Sequence, residues 1–245
     1  KWAGIVRRLS SKFNKHSWLL DGSIYFTFEI DNKLIQNTEG TEVMFGESFA
    51  RLFVMLKAKA EDGMSLPLHQ SYFAFLPDEL PSEDEIGKKI DEMIETLNKL
   101  RLAPLAETYS GPAILSGEAA GVFFHEIFGH RVEGHREKDP SSSQTFKQSV
   151  GKPILPDFIN VIFDPTINRL KGYPISGYYK YDDEGVPSRK VETVKNGIFA
   201  DFLMSRIPID KHPNSNGHGR KQVGYAAVSR QSNLIVEATN SISYK

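Results

Sequence analysis

His125-Glu126-Ile127-Phe128-Gly129-His130 is the stretch around which the rest of the chain is organised. Two imidazoles on one helical segment can hold a metal ion, and a carboxylate beside the first can take a proton from an attacking water. The common spacing of the two imidazoles is four residues; here it is five. Each residue of an α-helix turns about 100°, so an i, i+5 pair diverges by about 140°. That is too far for both rings to reach one zinc ion at about 2.0–2.1 Å. The segment is therefore predicted to depart from a regular helix. A π-bulge would realign the faces. Alternatively the helix ends at Gly129, where positive φ would swing His130 back toward His125. The competing reading is a buried helix whose histidines are satisfied core residues.

The flanking segments supply the frame. Trp2, Ile5, Val6, Leu9 and Phe13 recur at helical spacing, with basic residues forming a solvated face on a docked helix. Ile24, Phe26, Phe28 and Ile30 alternate with polar or aromatic residues, a strand period. Asp31-Asn32 is expected to turn the chain into 33–36. Residues 51–60 and 70–75 are further strand candidates, with a turn at Glu61-Asp62-Gly63. Short links between such runs favour antiparallel pairing. Ser82 and Glu85 have capping-box spacing and open a helix carrying Ile86, Ile90, Met93, Ile94 and Leu97, ending near Arg101. Residues 111–115 suggest a short strand, 118–130 the metal helix, 140–144 a polar loop and 158–163 a buried strand ended by Asp164-Pro165. The predicted class is α+β: an antiparallel β-rich body with a few helices, one carrying the metal motif.

Composition narrows the classes of function. The 245 residues are 40 % hydrophobic and 25 % charged, as in a globular protein, with a net charge of -1. That balance offers no global basic field for nucleic acid. No apolar run approaches a membrane span. Without cysteine there is no disulfide scaffold.

The motif sits in a longer run. Tyr109-Ser110-Gly111-Pro112 leads to a small-residue helix start, then to the His-Glu-x-x-x-His core and Glu133-Gly134. Tyr181-Asp182-Asp183-Glu184-Gly185-Val186-Pro187 follows, and then residues 216–220 and 229–233. These three ordered landmarks closely resemble the TldD/PmbA family of zinc metallopeptidases, also called modulators of DNA gyrase, and in particular its TldD-like, metal-binding branch. The resemblance implies zinc as cofactor, His125 and His130 as its ligands, and peptides or unfolded polypeptides as substrates. It also implies a paired assembly with a PmbA-like partner or a second copy, and a cytoplasmic setting. A third zinc ligand is expected from a Cys beyond Lys245, so the chain is expected to be a fragment. Residues 1–104 would be a β-meander and helix ending the family's N-terminal region, and 105–245 the metallopeptidase core. The alternatives are a non-catalytic binding subunit of such a complex and another zinc amidohydrolase.

Roles for single residues follow from their positions. Glu126 is the candidate general base, or else a carboxylate orienting an imidazole. Glu133 is a candidate outer-shell or substrate contact, and His135 is expected at the surface. Asp182, Asp183 and Glu184 lack the full spacing of a calcium loop and are expected to build a turn. His218, among Asn216, Gly217 and Gly219, lies on a flexible stretch suited to contacting substrate backbone; the competing reading is a disordered loop.

Overall fold

The computed structural model describes residues 1–141 and 144–242. Two compact units emerge: Lys1–Asn32 with Gly46–Gly111, and Lys33–Phe45 with Pro112–Lys245. The architecture is α+β with antiparallel sheets.

In the first unit, α1 (Trp2–Ser10) continues into a 3₁₀ turn over Ser11–Lys15. Strands β1 (Asp21–Gln36), β2 (Glu42–Lys59) and β3 (Ser65–Ala74) form a sheet in the order β1-β2-β3, of which residues 33–36 and 42–45 belong to the second unit. Helix α2 (Glu83–Leu102) packs on β3 and on α1. Ser82 caps it: its Oγ accepts from the Glu85 amide at 3.3 Å, while Glu85 accepts from the Ser82 amide at 2.8 Å. Alternate residues of β2, namely Leu52, Val54, Leu56 and Ala58, face the helix residues Ile86, Ile90 and Leu97 in one buried cluster. This is the period of two meeting a helical stripe. The basic face of α1 is tied to α2 by Arg8–Glu83 and Lys12–Asp91 pairs at 2.7 Å. As exposed pairs these contribute little stability.

Two expectations fail. The chain does not turn at Asp31-Asn32, because β1 runs on to Gln36. The turn forms later, where Asn37 Oδ1 accepts from the amides of Glu39 and Thr41, both at 3.0 Å, and Gly40 takes a φ of 87°. Residues 111–115 form no strand; Ile114 is 82 % exposed and no partner strand lies against it among the described residues. The loop expected at 140–144 lies partly outside the described residues.

In the second unit, α3 (Gly117–Ile127) is followed by 3₁₀ turns over Gly129–Val132 and Gly134–Lys138. Then come β4 (Ile159–Phe163), β5 (Arg169–Leu170), β6 (Tyr173–Pro174), β7 (Val191–Lys195), β8 (Ile198–Phe199), β9 (Gly219–Arg220), β10 (Val228–Ser229) and β11 (Leu234–Ala238). The main sheet is antiparallel in the order β11-β4-β7-β8. Its inner face joins Val161, Phe163, Val194 and Phe199 to Phe128, Val132, Phe202 and Leu203. The core thus grips the chain on both sides of His130. Strands β9 and β10 form a separate two-stranded ribbon. No helix among the described residues is long and apolar enough to cross a membrane.

Candidate metal centre

The distortion predicted from the five-residue spacing is present, in a form different from both expectations. Helix α3 stops at Ile127, and its axis breaks at Phe128, with φ −110° and ψ −55°. A 3₁₀ turn starts at Gly129. No π-turn is formed, and Gly129 does not adopt positive φ. Phe128 plugs into the core against Phe146, ring centroids 5.6 Å apart. Backbone bonds from Leu203 to Val132 (2.8 Å) and from Gly134 to Leu203 (2.9 Å) hold the far side of the break.

Gly129 allows a close approach of a distant side chain. A Cβ there would run into the side-chain amide of Gln231. Gln231 Nε2 in turn donates to the His125 carbonyl at 3.4 Å, closing off one of the carbonyls left unpaired at the helix end.

The break brings the rings of His125 and His130 together, centroids 4.6 Å apart and planes at 75°. One donor atom from each of His125, Glu126 and His130 lies within 4.8 Å of the others. His125 Nε2 is 3.8 Å from Glu126 Oε1. His125 and Glu126 are exposed and His130 is half-buried, so the group opens outward.

Behind it sits Glu133, with 0 % exposure. Its Oε1 contacts His130 Nδ1 at 3.1 Å, and its Oε2 accepts from Arg136 Nε at 2.8 Å. Arg230 Nη1 lies 3.4 Å from both oxygens. Holding Nδ1 fixes the ring plane and leaves Nε2 as the free ligand atom of His130, the usual arrangement behind a metal-binding imidazole. Donor chemistry and orientation therefore fit a zinc ion. Two neighbours of Glu133 went unread in the sequence. The His130, Glu133, Arg136 series at i, i+3 is a 3₁₀ signal that could have revealed Arg136. Arg230 carries no local signal.

The other expected residues are placed differently. His218, on the stretch expected to contact substrate, is buried with 0 % exposure, and its ring is engaged on both sides. Nδ1 faces Asn216 Oδ1 at 3.2 Å and Nε2 faces Ser232 Oγ at 3.1 Å. Glycines that suggested a mobile segment instead allow close packing: Gly217 takes a φ of 79° against the backbone of Pro187 and Ser188. Asp182 builds the expected turn. Its Oδ1 accepts from the amides of Glu184 and Val186, and its Oδ2 from that of Gly219, at 2.9–3.0 Å. His135 is half-buried rather than at the surface, and burial pulls its pKa below the ordinary value.

Burial pulls the pKa of His218 down to about 4. The folded protein therefore keeps this imidazole neutral where an unfolded chain, with a value near 6.5, takes up a proton. Stability is expected to fall as pH drops from about 6.5 toward about 4, with no contribution from this group above that window. Urea titrations across the window check this. His218→Asn should flatten the slope, and an unaltered slope would remove His218 as its cause.

Residues 108–244 match the PmbA/TldA metallopeptidase C-terminal domain. A metalloprotease of Archaeoglobus fulgidus is 31 % identical over 156 residues, 63 % of this chain and 34 % of the relative. The zinc metalloprotease TldD homolog of Saccharolobus solfataricus is 27 % identical over 208 residues, 82 % of this chain and 43 % of the relative. The chain thus spans about a third to under half the length of these curated relatives. Among solved structures, a Thermotoga maritima protein named for modulation of a DNA gyrase superposes with a TM-score of 0.72 at 19 % identity, covering 96 % of this chain and 51 % of that one. TldE from Thermococcus kodakarensis gives 0.62 at 16 % identity, covering 96 % and 50 %. These two likenesses speak for the fold alone. The match over more than half of the chain carries the assignment: the chain belongs to the PmbA/TldD family, whose metallopeptidase C-terminal domain its residues 108–244 represent.

Proposed function

We propose that the chain is part of a zinc-dependent peptidase that hydrolyses peptides or unfolded polypeptides. The observation that carries this reading is the broken helix end, which sets two imidazoles and a carboxylate within 4.8 Å, with His130 oriented from behind by Glu133. His125 and His130 would hold the zinc, and a Cys beyond Lys245 is the proposed third ligand. Bound there, zinc supplies Lewis-acid polarisation of the scissile carbonyl and acidifies water. Glu126 accepts a proton from the water that attacks the carbonyl carbon. It then delivers that proton to the leaving amine as the C–N bond breaks. Its exposure suits this task, since the carboxylate must face both water and substrate.

The family and its metalloprotease relatives support the reading. We further propose a paired, cytoplasmic assembly with a PmbA-like partner or a second copy. Within it, residues 1–104 would end the N-terminal region and 105–245 would form the peptidase core.

Metal content is the direct test. Purified protein carrying the whole peptidase region is expected to hold about one zinc per chain. His125→Ala should lose most of it. Equal zinc in both proteins would remove His125 as a ligand and leave the helix end as a structural feature only.

A further inference from the structure

One open cleft of the second unit, about 750 Å³, is lined by His135, Arg220, Lys221, Tyr225, Val228 and Arg230, with no acidic side chain on its wall. Three permanent cations converge on a small space in a chain whose net charge is only -1. The carboxylates behind them do not neutralise them. Glu133 is shared by Arg136 and Arg230. Asp183 is shared by Lys33 at 3.5 Å and Arg220 at 3.3 Å. Asp182, the next acid, spends both oxygens on backbone amides. Each of the two shared carboxylates thus faces two cations, and Lys221 adds a further positive charge at the cleft.

The donors are also held in place. The Arg220 guanidinium stacks 4.2 Å over the Tyr179 ring and pairs through Nε with Asp183, and Arg230 is held against Glu133. The exposed edge of a guanidinium so held, as in Arg230, donates to a carboxylate oxygen. The cleft lies beside the metal centre: His130 Nδ1 to Glu133 Oε1 is 3.1 Å, and Glu133 Oε1 to Arg230 Nη1 is 3.4 Å. An extended peptide advances about 3.3–3.6 Å per residue, so a group one to three residues from a bond cut at His130 could reach Arg230.

We propose that this cleft is a subsite for a carboxylate of the substrate peptide, either an Asp or Glu side chain or the C-terminal carboxylate. The inference rests on the peptidase reading above. It concerns binding, so it can be tested without zinc and without turnover. Fluorescence anisotropy on the zinc-free protein would compare three neutral-labelled hexapeptides: one Glu with an amidated end, Gln in its place with an amidated end, and Gln with a free end. The expected result is roughly tenfold tighter binding of a carboxylate-bearing peptide than of the Gln amide. The advantage should shrink several-fold between low and high salt. Which of the two carboxylates gains identifies side chain or terminus. Lys221→Gln, exposed and away from Glu133, should reduce the preference, and Arg230→Gln should abolish it. Equal affinity for all three peptides, no binding of any of them, or a preference that survives both variants would overturn the proposal. A carboxylate preference in a protein that loads zinc but cleaves nothing would support the subsite and refute the peptidase reading alone.

Discussion

Replacing Glu126 with Gln is expected to leave zinc content unchanged and to cut peptide hydrolysis by about 10²–10⁴-fold, the usual contribution of a general base. The amide keeps the volume of the side chain and removes the oxygen that accepts the proton. Glu126 is exposed and its nearest ionisable neighbour is His125 at 3.8 Å, so the substitution leaves no buried group stranded. The fold should therefore be unaffected. Initial rates on a peptide, with zinc measured on the same sample, check this. Cleavage at the native rate by the zinc-loaded variant would take the base role from Glu126. Glu118→Gln, at the other end of α3, serves as a control that should not alter the rate.

The second large effect is expected at Glu133. Glu133→Ala removes at once the partner of His130 Nδ1, Arg136 Nε and Arg230 Nη1. Losing the carboxylate that orients a ligating imidazole typically costs 10–100-fold in metal affinity. The two arginines are a third or more exposed and can turn to water, so the stability loss should stay near the cost of an unmet buried hydrogen bond, about 1–3 kcal/mol. Glu133→Gln should fall between the two, because its amide keeps one acceptor oxygen. Chelator competition gives the affinity and urea unfolding the stability. Unaltered zinc affinity in the Ala variant would show that His130 needs no support from behind.

What could be read from the sequence follows the range of the interactions concerned. The Ser82/Glu85 capping box and the stripe from Ile86 to Leu97 are local, and α2 forms where they place it. The alternation from Ile24 marks β1, but its end depends on pairing with β2. A strong partner carries the strand past Asp31-Asn32, residues that favour a turn when alone. Residues 111–115 show the converse, strand-like side chains with no strand beside them. The five-residue spacing was enough to demand a broken helix. The close contact of Gly129 with Gln231 was hidden because the two lie far apart in the chain. His218 misleads in the same way. Glycines around it suggest exposure, while Asn216 and Ser232 bury it.

Gln231 and Arg230 bear on how the protein is made. The Gln231 bond to His125 spans 106 positions, and the Arg230 contact with Glu133 spans 97. At translation rates of about 5–20 residues per second, His125 and His130 leave the synthetic machinery some 5–20 s before the side chains that clasp them exist. In that interval the helix end has neither its clasp at the His125 carbonyl nor the second cation behind Glu133. The candidate metal centre therefore matures late, after the ribbon that follows it in the chain has folded back. A nascent chain thereby carries the three donor residues before it carries the side chains that hold them in place.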